Sequence, residues 1–253
     1  MKSIYNHLLL IFCICAFMSR ASKALSQEPS FNSWTTEAGL SQNTVYSICE
    51  DKRGYIWMGT RNGLNRFDGR EFKIFHPPVK NKSVTGENDV AALMVDQHNI
   101  LWVGMSDELM SYDIDKNIFS PITLDSTTNK FVAFSVYQDE ASRIWLCTNR
   151  GVYILKTRSP FVFEKFGKYG PSAIPNPNVT CMFQEKNGNI WLGSDEGLTR
   201  MKRVATGWEY KTFKNDPENP NSLSSHVITA ISSDKYGNLW IGTENGGISI
   251  YNL

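Results

Sequence analysis

"GYIWMGTRNGLNRFD" occupies Gly54–Asp68, and "GNIWLGSDEGLTRMK" occupies Gly188–Lys202. The two stretches are more than a hundred residues apart and nearly the same phrase. Aligned on Trp, the phrase occurs five times, with cores at 45–68, 90–113, 133–156, 179–202 and 228–252. The key tryptophans are Trp57, Trp102, Trp145, Trp191 and Trp240, spaced by 45, 43, 46 and 49 residues. A period in the forties with strand-like segments fits a β-propeller blade of four strands.

Each copy divides into the same parts. "VYSICE" (45–50) alternates and is rich in strand formers, so it is the first strand. "DKRG" is a tight turn whose Asp can accept from nearby backbone N–H groups. "YIWMG" is the second strand, "TRNG" a loop suited to positive φ, "LNRF" the third strand and "EFKIF" the fourth. No helical periodicity competes. The fold class is therefore all-β, a propeller of about five four-stranded blades, read as part of a larger one; seven blades is the number that the family resemblance described below implies.

The second strand carries its own packing logic. Residues two apart share a face. Trp57 with Gly59, Trp102 with Gly104, Trp191 with Gly193 and Trp240 with Gly242 thus point the same way. The indole fills the gap between blades and the bare glycine admits the neighbour. Burying one indole contributes on the order of 3 kcal/mol. Beside Trp145 the glycine is replaced by Cys147, expected to be a small buried thiol in a slightly wider gap.

Composition bounds the function. The 253 residues are 41% hydrophobic with a formal net charge of +1. Such a balance gives no electrostatic footprint for nucleic acid. Lys2, the apolar run Leu8–Phe17 and the small residues around "SKA" (22–24) read as a signal peptide over 1–24, cleaved after Ala24 or, second choice, Ser26. Export and no membrane span in the mature chain follow as expectations. Cys49, Cys147 and Cys181 remain, with no C-x-x-C spacing, so neither a disulfide framework nor a metal site is indicated. No cofactor motif or catalytic triplet occurs.

The repeat resembles the two-component regulator propeller repeat. The pattern I-x-x-D-x-x-G-x-I-W-x-G-T-x-x-G-L-x-R-x-D is matched nearly throughout by 48–68, and well by the fourth and fifth copies. The second copy departs most, with His98-Asn99 at the turn glycine and Glu108 at the loop glycine; the third has Ser142. The resemblance implies a periplasmic sensor region of a hybrid two-component system of Bacteroides-like bacteria, with an oligosaccharide ligand from polysaccharide breakdown and control of its utilisation genes. It also allows a homodimer and an inner-membrane anchor in full-length relatives. The family's histidine kinase is absent here, so no enzyme is expected of this chain. The ending after a third strand points to a truncated piece. Residues 31–34, "FNSW", read as a fourth strand whose own blade lies upstream.

Strand connectivity puts the loops from second to third strand on one face with those from fourth to first. That face collects the ligand candidates Arg61, Asn62, Asp107, Asn149, Arg150, Asp195, Glu196, Glu244 and Asn245. Amides, carboxylates and guanidinia could bind sugar hydroxyls or uronate carboxylates; equally, they are turn formers and solvated charges. Two other classes stay open. One is an enzyme on the same scaffold, either a lyase similar to streptogramin lyases using His76 or His226, or a quinoprotein-type dehydrogenase. The other is a protein-interaction platform.

Overall fold

The computed structural model describes residues 30–78, 89–122, 124, 131–167 and 174–252. Two compact units are distinguished, residues 1–33 and 34–253. Only residues 30–33 of the first are described, and they form no strand; the signal-peptide segment lies outside the described residues. All further structure belongs to the second unit.

Its strands form five antiparallel sheets in chain order. Blade 1 holds β1 (Val45–Glu50), β2 (Ile56–Thr60), β3 (Gly63–Phe67) and β4 (Phe72–Phe75). Blade 2 holds β5 (Val90–Val95), β6 (Ile100–Met105), β7 (Leu109–Asp113) and β8 (Ile118–Ile122). Blade 3 holds β9 (Ala133–Gln138), β10 (Ile144–Thr148), β11 (Gly151–Arg158) and β12 (Phe161–Lys165). Blade 4 holds β13 (Val179–Gln184), β14 (Ile190–Ser194), β15 (Gly197–Val204) and β16 (Gly207–Phe213). The fifth sheet has three strands, β17 (Ile228–Ser233), β18 (Leu239–Thr243) and β19 (Gly247–Tyr251). Among the described residues the only helical element is a 3-10 turn, Thr36–Ala38.

The first strands β1, β5, β9, β13 and β17 stand side by side, each next to that of the following blade. This is the propeller arrangement the period predicts. Every blade also breaks register at the start of its first strand: between Val45 and Ser47, Val90 and Ala92, Val179 and Cys181, Ile228 and Ala230, and in β9 opposite Cys147 and Thr148. One extra residue per blade sharpens the local twist.

The expected fourth strand at 31–34 does not form. Trp34 instead stacks on Phe67 and Phe72 of blade 1, ring centroids 4.7 and 5.9 Å away. The chain there enters a short 3-10 turn ended by Gly39 at φ 102°, which turns it away from a ladder.

The core lies between blades. Trp57, Trp102, Trp145 and Trp191 are wholly buried. Trp57 meets Tyr112 of blade 2 at 5.6 Å, Trp102 meets Phe163 of blade 3 at 5.5 Å, and Trp191 meets Tyr251 of blade 5 at 5.2 Å. The glycines do what the spacing predicts. A Cβ on Gly59 would lie 2.5 Å from the Val90 carbonyl oxygen, one on Gly104 2.8 Å from Ala133 Cβ, and one on Gly193 2.7 Å from Ile228 Cγ2. Cys147 is fully buried in the same place, packed with Val179.

Trp240 departs from the expectation. It is 42% exposed, because among the described residues no sheet covers that face of blade 5. Ile248 and Ile250 beside it are exposed too. At the other end of the series Tyr46 and Ile48 of blade 1 are likewise exposed.

Candidate functional site

The loops between second and third strands are built by one device. In blade 1 the buried Thr60 hydroxyl donates to the Gly63 carbonyl at 3.1 Å and accepts from Asn62 N–H at 3.1 Å. Thr148 does the same with Gly151 and Arg150, and Ser194 with Gly197 and Glu196. The closing glycine is required: Gly197 has φ 129°, and a Cβ there would sit 2.3 Å from the Phe213 carbonyl oxygen. Blade 2 lacks both the hydroxyl and the glycine. Its loop is held by Asp107 at φ 75°, whose N–H donates to the Phe131 carbonyl at 2.7 Å.

These loops meet the segments that enter the first strands. Arg61 N–H donates to the Thr44 carbonyl, Asn149 N–H to that of Val132 and Glu244 N–H to that of Val227. Asn149 Oδ1 also accepts from Val132 N–H at 2.9 Å. The expectation that both kinds of loop emerge on one face therefore holds.

The individual candidates differ in what they have left to offer. Asp195 is engaged by Asn176 Nδ2 at 2.8 Å and Asn178 Nδ2 at 2.6 Å, one to each carboxylate oxygen. It fastens its loop rather than facing outward. Glu196 is paired with Lys214 at 3.5 Å, an exposed pair worth little. Asn149 is spent on the backbone, and Asn245 supplies a positive φ of 59°. Arg61, Asn62, Arg150 and Glu244 have exposed side chains. His76 and His226 are exposed, belong to the loops beside blades 1 and 5, and have no carboxylate partner among the described residues.

The turns at the opposite end carry a feature that spacing did not reveal. Asp51, Asp96 and Asp139 are buried, and each accepts the indole N–H of the Trp six residues on, at 2.8, 3.1 and 2.7 Å. Glu185 and Asp234 do so for Trp191 and Trp240 at 2.7 and 3.3 Å. The other Asp51 oxygen accepts Arg53 and Tyr55 N–H groups, as a turn-capping Asp should. The Asp was legible as a turn former; the indole bond was not, although a constant six-residue offset is its trace in the sequence. Hydrogen bonds from Asn238, the indole and the turn N–H groups hold the Asp234 carboxyl below its ordinary value. Among the described residues no group of His, Cys, Asp and Glu could hold a metal. No helix there is long and apolar enough to cross a membrane.

Known proteins match this arrangement. The model of the two-component regulator propeller family matches residues 39–62, 173–196 and 222–245, which fall on blades 1, 4 and 5. Over 60 residues the chain is 47% identical to Histidine kinase P4 of Formosa agariphila, covering 24% of this chain and 4% of that protein. It superposes on the extracellular domain of BT4673 from B. thetaiotaomicron, described as a hybrid two-component system. That match has a TM-score of 0.60 and 20% identity over 89% of this chain and 36% of that one. Virginiamycin B lyase of Staphylococcus aureus shares the fold at a TM-score of 0.56 and 12% identity, over 83% and 70% of the two chains. At such identities the superpositions establish the propeller fold. The chain spans about a third of the extracellular domain and a small fraction of the kinase. Three of the five blades, the first, fourth and fifth, thus match the two-component regulator propeller repeat.

Proposed function

We propose that this chain is the ligand-sensing propeller of a hybrid two-component system, working outside the cytoplasm and recognising an oligosaccharide released from polysaccharide. One observation carries the reading. In blades 1, 3, 4 and 5 the loop between second and third strands is tied by hydrogen bonds to the segment entering the first strand, while Arg61, Asn62, Arg150 and Glu244 keep their side chains exposed. Fixed loops carrying exposed planar donors and acceptors suit hydroxyl-rich ligands, because little side-chain order is lost on binding. The similarity to proteins named as histidine kinase and hybrid two-component system supports an output in which ligand occupancy is passed to a kinase and so to the genes that use the sugar.

The test is a melting-temperature screen of the purified chain against oligosaccharides of defined composition. A saturating ligand at a hundredfold excess over its Kd raises stability by about 2.7 kcal/mol. Arg150→Ala and Asn62→Ala are expected to abolish that rise without lowering the unliganded melting temperature. No response to any sugar overturns the reading, and turnover of one would favour the lyase alternative.

A further inference from the structure

The residue paired with the key Trp on the third strand fills the gap toward the next blade. It is Arg66 opposite Trp57 and Arg200 opposite Trp191. Their guanidinium carbons each lie 5.9 Å from the indole, so an arginine plugs both grooves. Blade 3 has Ile154 at this place and blade 5 has Ile250. In blade 2 it is Ser111, and the residue paired with Ser111 on the outer strand is Ser120, where blades 1 and 4 carry Lys73 and Lys211. Two small side chains leave the groove between blades 2 and 3 open. A cavity of about 440 Å³ results. That is within the range of roughly 300–1,000 Å³ that small-molecule sites occupy.

The lining has a definite chemistry. Ile100, Ile118 and Phe161 give an apolar wall, with Phe161 braced edge-on by Trp102 at 5.1 Å. Ser111 and Ser120 bring hydroxyls to the floor. Lys116 and Arg158 stand at the cavity with the His98 imidazole, against a single lining carboxylate, Asp113. Arg158 is held in place by Asp96 at 2.7 Å, which occupies one nitrogen of its fork. Lys116 spends one of its donors on Asp113 at 2.7 Å. Arg158 therefore keeps donors for a ligand while its position is fixed by the buried Asp96 carboxylate, and Lys116, exposed at the rim, keeps two donors. An apolar wall takes the C–H face of a ring, hydroxyls take its hydroxyls, and a positioned guanidinium takes a carboxylate.

We infer that the groove between blades 2 and 3 binds a carboxylated, hydroxylated six-membered ring, a uronate-type monosaccharide or the end residue of an acidic oligosaccharide. The site lies among the turns at the end of the blades opposite the loop face, so it stands or falls independently of the function proposed above.

The experiment is calorimetric titration of the purified chain with glucuronate and, in parallel, with glucose. Glucuronate is expected to bind at least about tenfold more tightly than glucose, since one charge-assisted contact separates them. Ser111→Arg, which installs the side chain that blades 1 and 4 accommodate, is expected to abolish glucuronate binding. Lys116→Glu, an exposed change that carries the test if the first variant folds poorly, is expected to weaken it about tenfold or more. Three results overturn the inference: no glucuronate binding, equal affinity for glucose, or binding that survives both substitutions.

Discussion

Trp57 Nε1 donates to Asp51 Oδ2 across 2.8 Å, and both groups are buried. The same carboxylate closes its own turn through the Arg53 and Tyr55 N–H groups. One side chain thus fixes the turn between first and second strands and orients the indole that joins two blades. Asp51→Ala leaves a buried indole N–H and two turn N–H groups without their acceptor, and is expected to cost about 3 kcal/mol, with Asp51→Asn costing less because it keeps one oxygen. Urea unfolding of the three proteins checks the order.

Glycine at the fourth place of "IWxG" is demanded by the neighbouring blade, not by the backbone. Gly59→Ala puts a Cβ 2.5 Å from the Val90 carbonyl oxygen and is expected to destabilise by about 1–3 kcal/mol. In Gly242→Ala the nearest atom is Thr229 Oγ1 at 3.3 Å, so that change is expected to stay within about 0.5 kcal/mol. Equal effects in thermal melts would refute the inter-blade account.

The two tryptophans of blades 4 and 5 should also part company. Trp191 is fully buried between Phe213 and Tyr251, whereas Trp240 is 42% exposed. Trp191→Ala is expected to cost about 3–5 kcal/mol, and Trp240→Ala less than half as much. Emission spectra of the single variants give a second readout, since loss of Trp240 removes the most solvent-exposed of the five repeat indoles.

Burial pushes the Cys147 thiol up to about 12, the Cys49 thiol to about 12 and the Cys181 thiol to about 11. Unfolded, each titrates near 9.0. The fold favours the neutral thiol, so this contribution is complete below pH 9 and is lost as pH rises from about 9 toward 12. Each pH unit in that window removes up to about 1.4 kcal/mol per thiol. Stability of the wild type should therefore fall more steeply above pH 9 than that of a variant with all three changed to Ala. The native Cys147 thiol should also resist a thiol reagent at pH 8, and its reaction in the folded protein would contradict the burial.

How far the candidate sites were legible follows from the range of the forces involved. The loop face was readable, because antiparallel connectivity alone decides which loops share an end. Which candidates stay available was not: the sequence offers Asp195 as a ligand candidate or a solvated charge alike, and only the fold puts Asn176 and Asn178 on its two oxygens. The open groove was equally hidden. Ser111 and Ser120 are unremarkable in the chain, and only their pairing beneath Trp102, facing Phe161 from another blade, makes a cavity.

The sequence by itself determined the number and order of the blades, the placing of their strands and the pairing of each Trp with a glycine or Cys147. Those features are local: a two-residue period, a turn residue and a Trp repeated every forty-odd positions. Tertiary structure alone decided the bulge at each first strand, the carboxylate that holds each indole, the exposure of Trp240 and the packing of Trp34 on blade 1 in place of a strand at 31–34. The bulge and the indole bond form within one blade but need its strands brought into register, whereas the exposure of Trp240 depends on what stands opposite, and in a propeller that residue belongs to a blade some forty-five positions away. Contacts across that distance are set by how whole sheets pack, and a single strand carries no record of them.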